Sequence, residues 1–361
     1  MTSVSSSPEI GAVADDSVSL NLKDFAVRLP KIELHAHING SLSNDTLRTL
    51  RELKRERYPT EMAEMTFPDI TKSKSAISEF FSSFKYIYLV TDDEDAVRLA
   101  TRNTIEEFKR DGVRYLELRS TPRAVESTGM TKDAYVRAIL DVLRDYSYDQ
   151  GSDGITVRLI LSVDRRNTIE QANEAVDLAI KYRDQGVVGV DLCGDVLKGS
   201  PDSWVPALQR AKDAGLFLTV HIGEVPENVP EGLSLLALNP DRLGHATHLS
   251  PEAYALVKER KIPVEACLTS NLLCKTVPSI ELHHIHGYLR DGIPCIPCTD
   301  DKGFFFAESS DEYKLAAESI GLNKRGLFEL SKNAIETIFA SEEFKVKLRA
   351  EWDAFAASHN I

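Results

Sequence analysis

Apolar residues in this chain fall into two rhythms that take turns. Short apolar or alternating bursts with a period of two mark strands, and longer stretches with apolar residues three and four apart mark amphipathic helices. The first burst, 30–37, runs into His35 and His37 and stops at Asn39-Gly40, a turn signal. Further strands are expected at 113–118, 155–163, 187–192, 216–220, 242–244, 262–267 and 293–298. Helical periodicity predicts 43–56, with Ser43 as N-cap and Leu47, Leu50 and Leu53 along it. It also predicts helices at 76–90, 94–110, 132–146, 168–185, 205–214, 251–260, 307–320 and 323–339. Phe80, Phe81, Phe84, Tyr86 and Tyr88 give 76–90 an aromatic stripe, read as core packing. The polar, irregular stretch 58–78 is the expected lid.

Eight strands, nearly all separated by helices, predict a single (β/α)8 (TIM) barrel with extra helices. The strand ends are polar. After His35 and His37 come Ser120-Thr121-Pro122, Asp164-Arg165-Arg166, Gly194-Asp195, His221-Ile222-Gly223-Glu224, His245, Thr269-Ser270-Asn271 and Asp300-Asp301. That edge of such a barrel is where active sites are assembled. The barrel domain is expected over 23–361. Residues 1–22, Ser-rich with several acids and no signal-peptide pattern, are expected to form a disordered tail.

Composition refines this picture. The 361 residues, 42% hydrophobic and 27% charged, suit one large core. With 43 Lys and Arg against 56 Asp and Glu, the net charge of −13 argues against a nucleic-acid polymer as partner. A small anion in a locally basic pocket remains compatible. No apolar run approaches the roughly 18 residues of a membrane span. Five scattered cysteines fit reduced thiols, and Cys295-x-x-Cys298 lies in an apolar strand as a structural pair. The chain is expected to be a cytoplasmic monomer.

Residues i and i+2 of a strand face the same side, so His35 and His37 present two imidazoles together. In a closed barrel, strand eight lies beside strand one and strand five lies across the mouth. His221 and Asp300 then converge on the pair. Three imidazole nitrogens and one carboxylate, without thiolate, suit one zinc ion per chain with a position left for water. Strand four offers no lysine to bridge a second metal. Glu224 is placed to move protons between that water and a substrate nitrogen. His245 is placed to hold the hydroxide, and Asp301 to accept a hydrogen bond from a ring nitrogen or orient the hydroxide.

Leu34-His35-Ala36-His37-Ile38-Asn39-Gly40, His221-Ile222-Gly223-Glu224, Arg242-Leu243-Gly244-His245 and Thr299-Asp300-Asp301 together resemble the adenosine/AMP deaminase family of metal-dependent hydrolases. The resemblance spans about residues 29–340. It implies hydrolytic deamination at purine C6, with zinc hydroxide as nucleophile and Glu224 protonating N1. It also implies Gly194 at N3, Asp301 at N7 and His245 beside the hydroxide. The base-editing deaminases differ, because their zinc is held by cysteines.

Departures from the family pattern bear on substrate. Asn39 stands where adenosine deaminases carry an Asp facing the ribose, and losing that charge eases entry of a 5′-phosphate. Lys302 replaces a frequent proline. Ser120, Thr121, Pro122 and Arg123 offer hydroxyls, backbone N–H groups and a guanidinium for phosphate. Asp164 is a candidate for the ribose hydroxyls, and His37 also faces the substrate. These departures resemble an adenosine deaminase-like subgroup that converts N6-methyl-AMP to IMP and methylamine. The rival readings are an adenosine or adenine deaminase without phosphate requirement, an amidohydrolase cutting another bond, and a non-catalytic nucleoside-binding module. His283-His284-Ile285-His286 is read as surface or loop histidines on a helical segment.

Overall fold

The computed structural model describes residues 16–67, 84–146 and 154–361. Eight parallel strands follow in the order β1 to β8, each hydrogen-bonded to the next. They are β1 (Lys31–His37), β2 (Val113–Ser120), β3 (Thr156–Asp164), β4 (Val187–Cys193), β5 (Phe217–Ile222), β6 (Arg242–His245), β7 (Val264–Ala266) and β8 (Cys295–Pro297). Asp300, just past β8, bridges in parallel to Ala36 of β1, which brings the ends of the sheet together. The (β/α)8 barrel is thus as expected.

The helices between strands start and stop where local chemistry says they should. Ser43, Asp93 and Thr131 accept the backbone N–H three residues on, capping Asn44–Lys54, Glu94–Arg110 and Lys132–Leu143. Thr168 and Gln171 form a capping box at Ile169–Lys181. Strand residues facing the helices, among them Ile32, Leu34, Leu116, Val190 and Leu243, are fully buried with the helices' apolar faces. A second cluster joins Leu47, Leu50, Met62, Phe84, Ile87 and Val90 above the barrel mouth.

The structure differs from the sequence-based expectations at four places. The helix Asp16–Arg28 begins inside the stretch expected to be a tail. Its Leu22, Phe25 and Ala26 are buried, and it packs on the helix Ser309–Ile320. Lys31 completes its end, with Nζ donating to Ala26 O at 2.7 Å and Leu29 O at 3.0 Å. Of the expected lid, Pro59–Glu64 is a short helix and 68–78 lies outside the described residues, as does 76–83 of the aromatic helix. The stripe is also more than core: Phe84 and Tyr88, on Phe84–Val90, line a cavity. The segment 283–286, expected to carry surface or loop histidines on a helical stretch, is loop at His283 and His284, but not surface at His283. His283 is buried and its ring contacts Asn271 Oδ1 at 3.1 Å, and only His286 of the three lies in the helix Ile285–Arg290. Among the described residues no helix is long and apolar enough to cross a membrane. All five cysteines are free, and Cys295 and Cys298 are buried.

Candidate active site

A cavity of about 550 Å³ opens at the C-terminal ends of the strands. It is lined by His37, Asn39, Ser120, Thr121, Pro122, Arg123, Asp164, Gly194, His221, Glu224, His245, Asp300 and Asp301. Every sequence-predicted site residue except His35 faces it, and His35 lies fully buried beneath.

The ring nitrogens meet on one carboxylate. His35 Nε2 and His37 Nε2 each lie 3.4 Å from Asp300 Oδ1, and His37 Nε2 lies 3.3 Å from His221 Nε2. His245 Nε2 stands slightly further out, 3.8 Å from Asp300 Oδ2. One donor atom each from His35, His221, His245 and Asp300 lies within 4.8 Å of all the others. Two of the rings and the carboxylate are fixed from behind. His35 Nδ1 contacts Glu265 Oε2 at 2.7 Å, His221 Nδ1 contacts Asp191 Oδ1 at 3.0 Å, and Ser270 Oγ donates to Asp300 Oδ2 at 2.7 Å.

This arrangement fits a divalent metal. His35 Nε2 is buried without a hydrogen-bond partner, and it points at the carboxylate while its Nδ1 is held from behind. Burial and Arg119 pull the His35 imidazole down, yet Asp300 and Glu265 hold its pKa up at about 9, so positive charge is favoured there. Burial holds His37 and His221 below their ordinary value, which leaves lone pairs for ligation.

Around this cluster the acids split. Burial, with Asp300 adding to it, raises Glu224 to about 7, whereas the neighbouring imidazoles hold Asp300 well below the usual range despite its burial. Asp301 is pushed well above, by burial and then by Asp300 and Glu224. Burial lowers His245 to about 4, so its ring is neutral near pH 7, with Nε2 3.9 Å from Glu224 Oε1. Gly40 makes room for Asp301: a Cβ there would fall 1.4 Å from Asp301 Oδ1. Gly194, at φ +101°, does the same for Asp164, whose Oδ1 would lie 2.6 Å from an added Cβ.

The profile of the adenosine deaminase family matches residues 30–355. The chain belongs to the adenosine deaminase family. It is 41% identical over 350 residues to N6-mAMP deaminase of Arabidopsis thaliana, covering 92% of this chain and 98% of that one. A crystal structure of arabidopsis ADAL complexed with IMP superposes with a TM-score of 0.87 at 41% identity, covering 94% of this chain and 100% of that one. A zinc-bound amidohydrolase from Burkholderia ambifaria aligns with a TM-score of 0.77 at 25% identity, covering 92% of each chain. Like the relatives that carry deaminase names, this member of the family is an aminohydrolase.

Several side chains at the mouth and just beneath it already have partners within the chain. Arg119 lies inside the barrel, where Nη2 donates to Glu265 Oε2 at 2.8 Å and Nη1 pairs with Asp191 at 3.4 Å. Arg123 donates to Tyr88 O at 3.2 Å and to Thr91 Oγ1 at 2.6 Å, tying the helix Phe84–Val90 to the loop after β2. Ser120 Oγ lies 2.6 Å from Tyr135 Oη. Asp164 is bound to Arg166, Nε to Oδ1 at 2.8 Å and Nη2 to Oδ2 at 2.6 Å. Lys302 is buried on Glu308 and Glu107, away from the cavity lining.

Sequence reasoning gave no role to Asp191, Glu265, Ser270 and Arg166. The first two carried a signal: a lone acid inside an apolar strand, as in Val190-Asp191-Leu192 and Val264-Glu265-Ala266. Such a charge is buried only with partners. Glu265 has four, in His35, Arg119, Arg242 and Thr219.

Proposed function

We propose that this chain hydrolyses N6-methyl-AMP to IMP and methylamine with one zinc ion held by His35, His37, His221 and Asp300. The observation that carries the reading is the meeting of these four donors beside Glu224 in a cavity large enough for a nucleotide. The chain's likeness to N6-mAMP deaminase supports the substrate. His37 is preferred to His245 as ligand because its Nε2 makes the shorter approaches, 3.3 and 3.4 Å, while His245 faces Glu224. When bound, a divalent metal supplies an activated water near neutral pH.

The rest falls to the chain's own groups. Glu224, raised by burial to about 7, can give a proton to purine N1 and take one from the attacking water. Neutral His245 hydrogen-bonds that water and fixes its direction of attack. Asp301, kept protonated, donates to N7, and the Gly194 N–H reaches N3. The departing methylamine leaves with a proton delivered by way of Glu224. Asn39 meets the 5′ end without repelling it, with Ser120, Thr121, the backbone at Pro122, and Arg123 around the phosphate. Asp164 takes the ribose hydroxyls.

The test is turnover of AMP, N6-methyl-AMP, adenosine and N6-methyladenosine side by side, with and without a zinc chelator. Chelator-sensitive turnover confined to N6-methyl-AMP is the expected result. Equal turnover of adenosine would refute the phosphate argument, and no turnover of any of the four would favour a binding module.

A further inference from the structure

His245 is held in an unusual way. It and Ala246 are consecutive non-glycine residues in the left-handed region, with φ of +59° and +49°. Ala246 N donates to Gly244 O at 2.7 Å, closing a three-residue turn around His245. A backbone in this state persists only where its surroundings over-determine it.

Two restraints are visible. Beneath the turn, Gly244 packs on His35, and an added Cβ would meet His35 Cε1 at 3.0 Å. On the outer side, the buried Tyr288 of the helix Ile285–Arg290 donates its hydroxyl to Ala246 O at 2.6 Å. Tyr288 is itself stacked on Tyr254, with ring centroids 5.3 Å apart, and meets His284 edge-on at 5.7 Å. The histidine-rich segment that the metal cluster does not use thus supports this clamp.

The ring of His245 needs such support. His35 and His221 are fixed through Nδ1 by Glu265 and Asp191, but His245 Nδ1 is buried with no hydrogen-bond partner. The direction of its Nε2 therefore comes from its backbone. We propose that Tyr288 is a positioning residue: its hydroxyl clamps the strained turn at His245–Ala246 and so aims the His245 imidazole at the reacting water. The proposal rests on the role of His245 given above.

Tyr288→Phe keeps the stacked ring and removes only the hydroxyl. Loss of one buried hydrogen bond should lower kcat about 10-fold. KM, zinc content and IMP affinity should stay unchanged, and amide exchange at Ala246 should quicken. In a His245→Ala background the same substitution should have no further effect on kcat, because Tyr288 acts through His245. Tyr254→Phe, which loses a 2.8 Å bond to Asp291 on the same stack, should leave kcat unchanged. A Tyr288→Phe enzyme with full kcat and unchanged exchange at Ala246, or one whose loss is the same in both backgrounds, overturns the proposal. Full activity in His245→Ala itself overturns the role of His245 and the clamp's purpose with it, so the two failures are told apart.

Discussion

Replacing Glu224 with Gln separates its chemistry from its energetic cost. The carboxyl is buried, and its pKa is raised from 4.5 to about 7. Between those values the native protein holds a proton that the unfolded chain has released, so this group's contribution to stability falls as pH rises through that window. At about 1.4 kcal/mol per pKa unit, the cost above pH 8 is on the order of 3 kcal/mol. Gln keeps the shape and does not titrate. The metal-free Glu224→Gln variant should therefore match the wild type near pH 4.5 and gain on it towards pH 8. With an unfolding entropy of about 2.1 cal/mol/K per residue, the gain is roughly 4 °C in Tm. The same variant loses its proton carrier, and kcat on N6-methyl-AMP should fall about 10²–10⁴-fold. The assays are calorimetry across pH in chelator and steady-state kinetics with zinc restored. Activity within tenfold of wild type would refute the proton role, and a Tm difference that ignores pH would refute the raised carboxyl.

Other substitutions probe the remaining parts. Asn39→Asp should raise KM for N6-methyl-AMP at least about tenfold, since like charges then share a partly desolvated site; steady-state kinetics of variant and wild type on that compound, with an unchanged KM as the refuting result, decide it. Gly40→Ala puts a methyl where Asp301 Oδ1 sits, 1.4 Å away, and should abolish turnover while zinc, counted by elemental analysis, stays bound. Glu265→Gln weakens the hold on His35 Nδ1 and should cut zinc affinity about 10–100-fold, read by chelator competition.

The interior of the barrel explains why so much of this protein could be read from its sequence. Strand and helix periods, together with Ser43, Thr168 and the asparagine–glycine turn, set the element order, because these signals act over a few residues. His35, His37, His221 and Asp300 were legible because a barrel has one functional edge, and strand ends in a linear sequence map directly onto it. Charges inside apolar strands also signalled burial, but not with whom.

What the sequence could not determine was partnership across the fold. Arg123 stands in the stretch read as the phosphate-binding mouth, yet its guanidinium reaches over to Tyr88 and Thr91, more than thirty residues away in sequence. Lys302 follows the Asp300–Asp301 pair but turns to Glu308 and Glu107. His283, read as surface or loop, is a loop residue buried on Asn271, and Tyr288 reaches the carbonyl beside His245. Local spacing fixes which face of an element a residue occupies. The energy of a buried polar group depends on whichever atom lies opposite it, and only the packed tertiary structure chooses that atom.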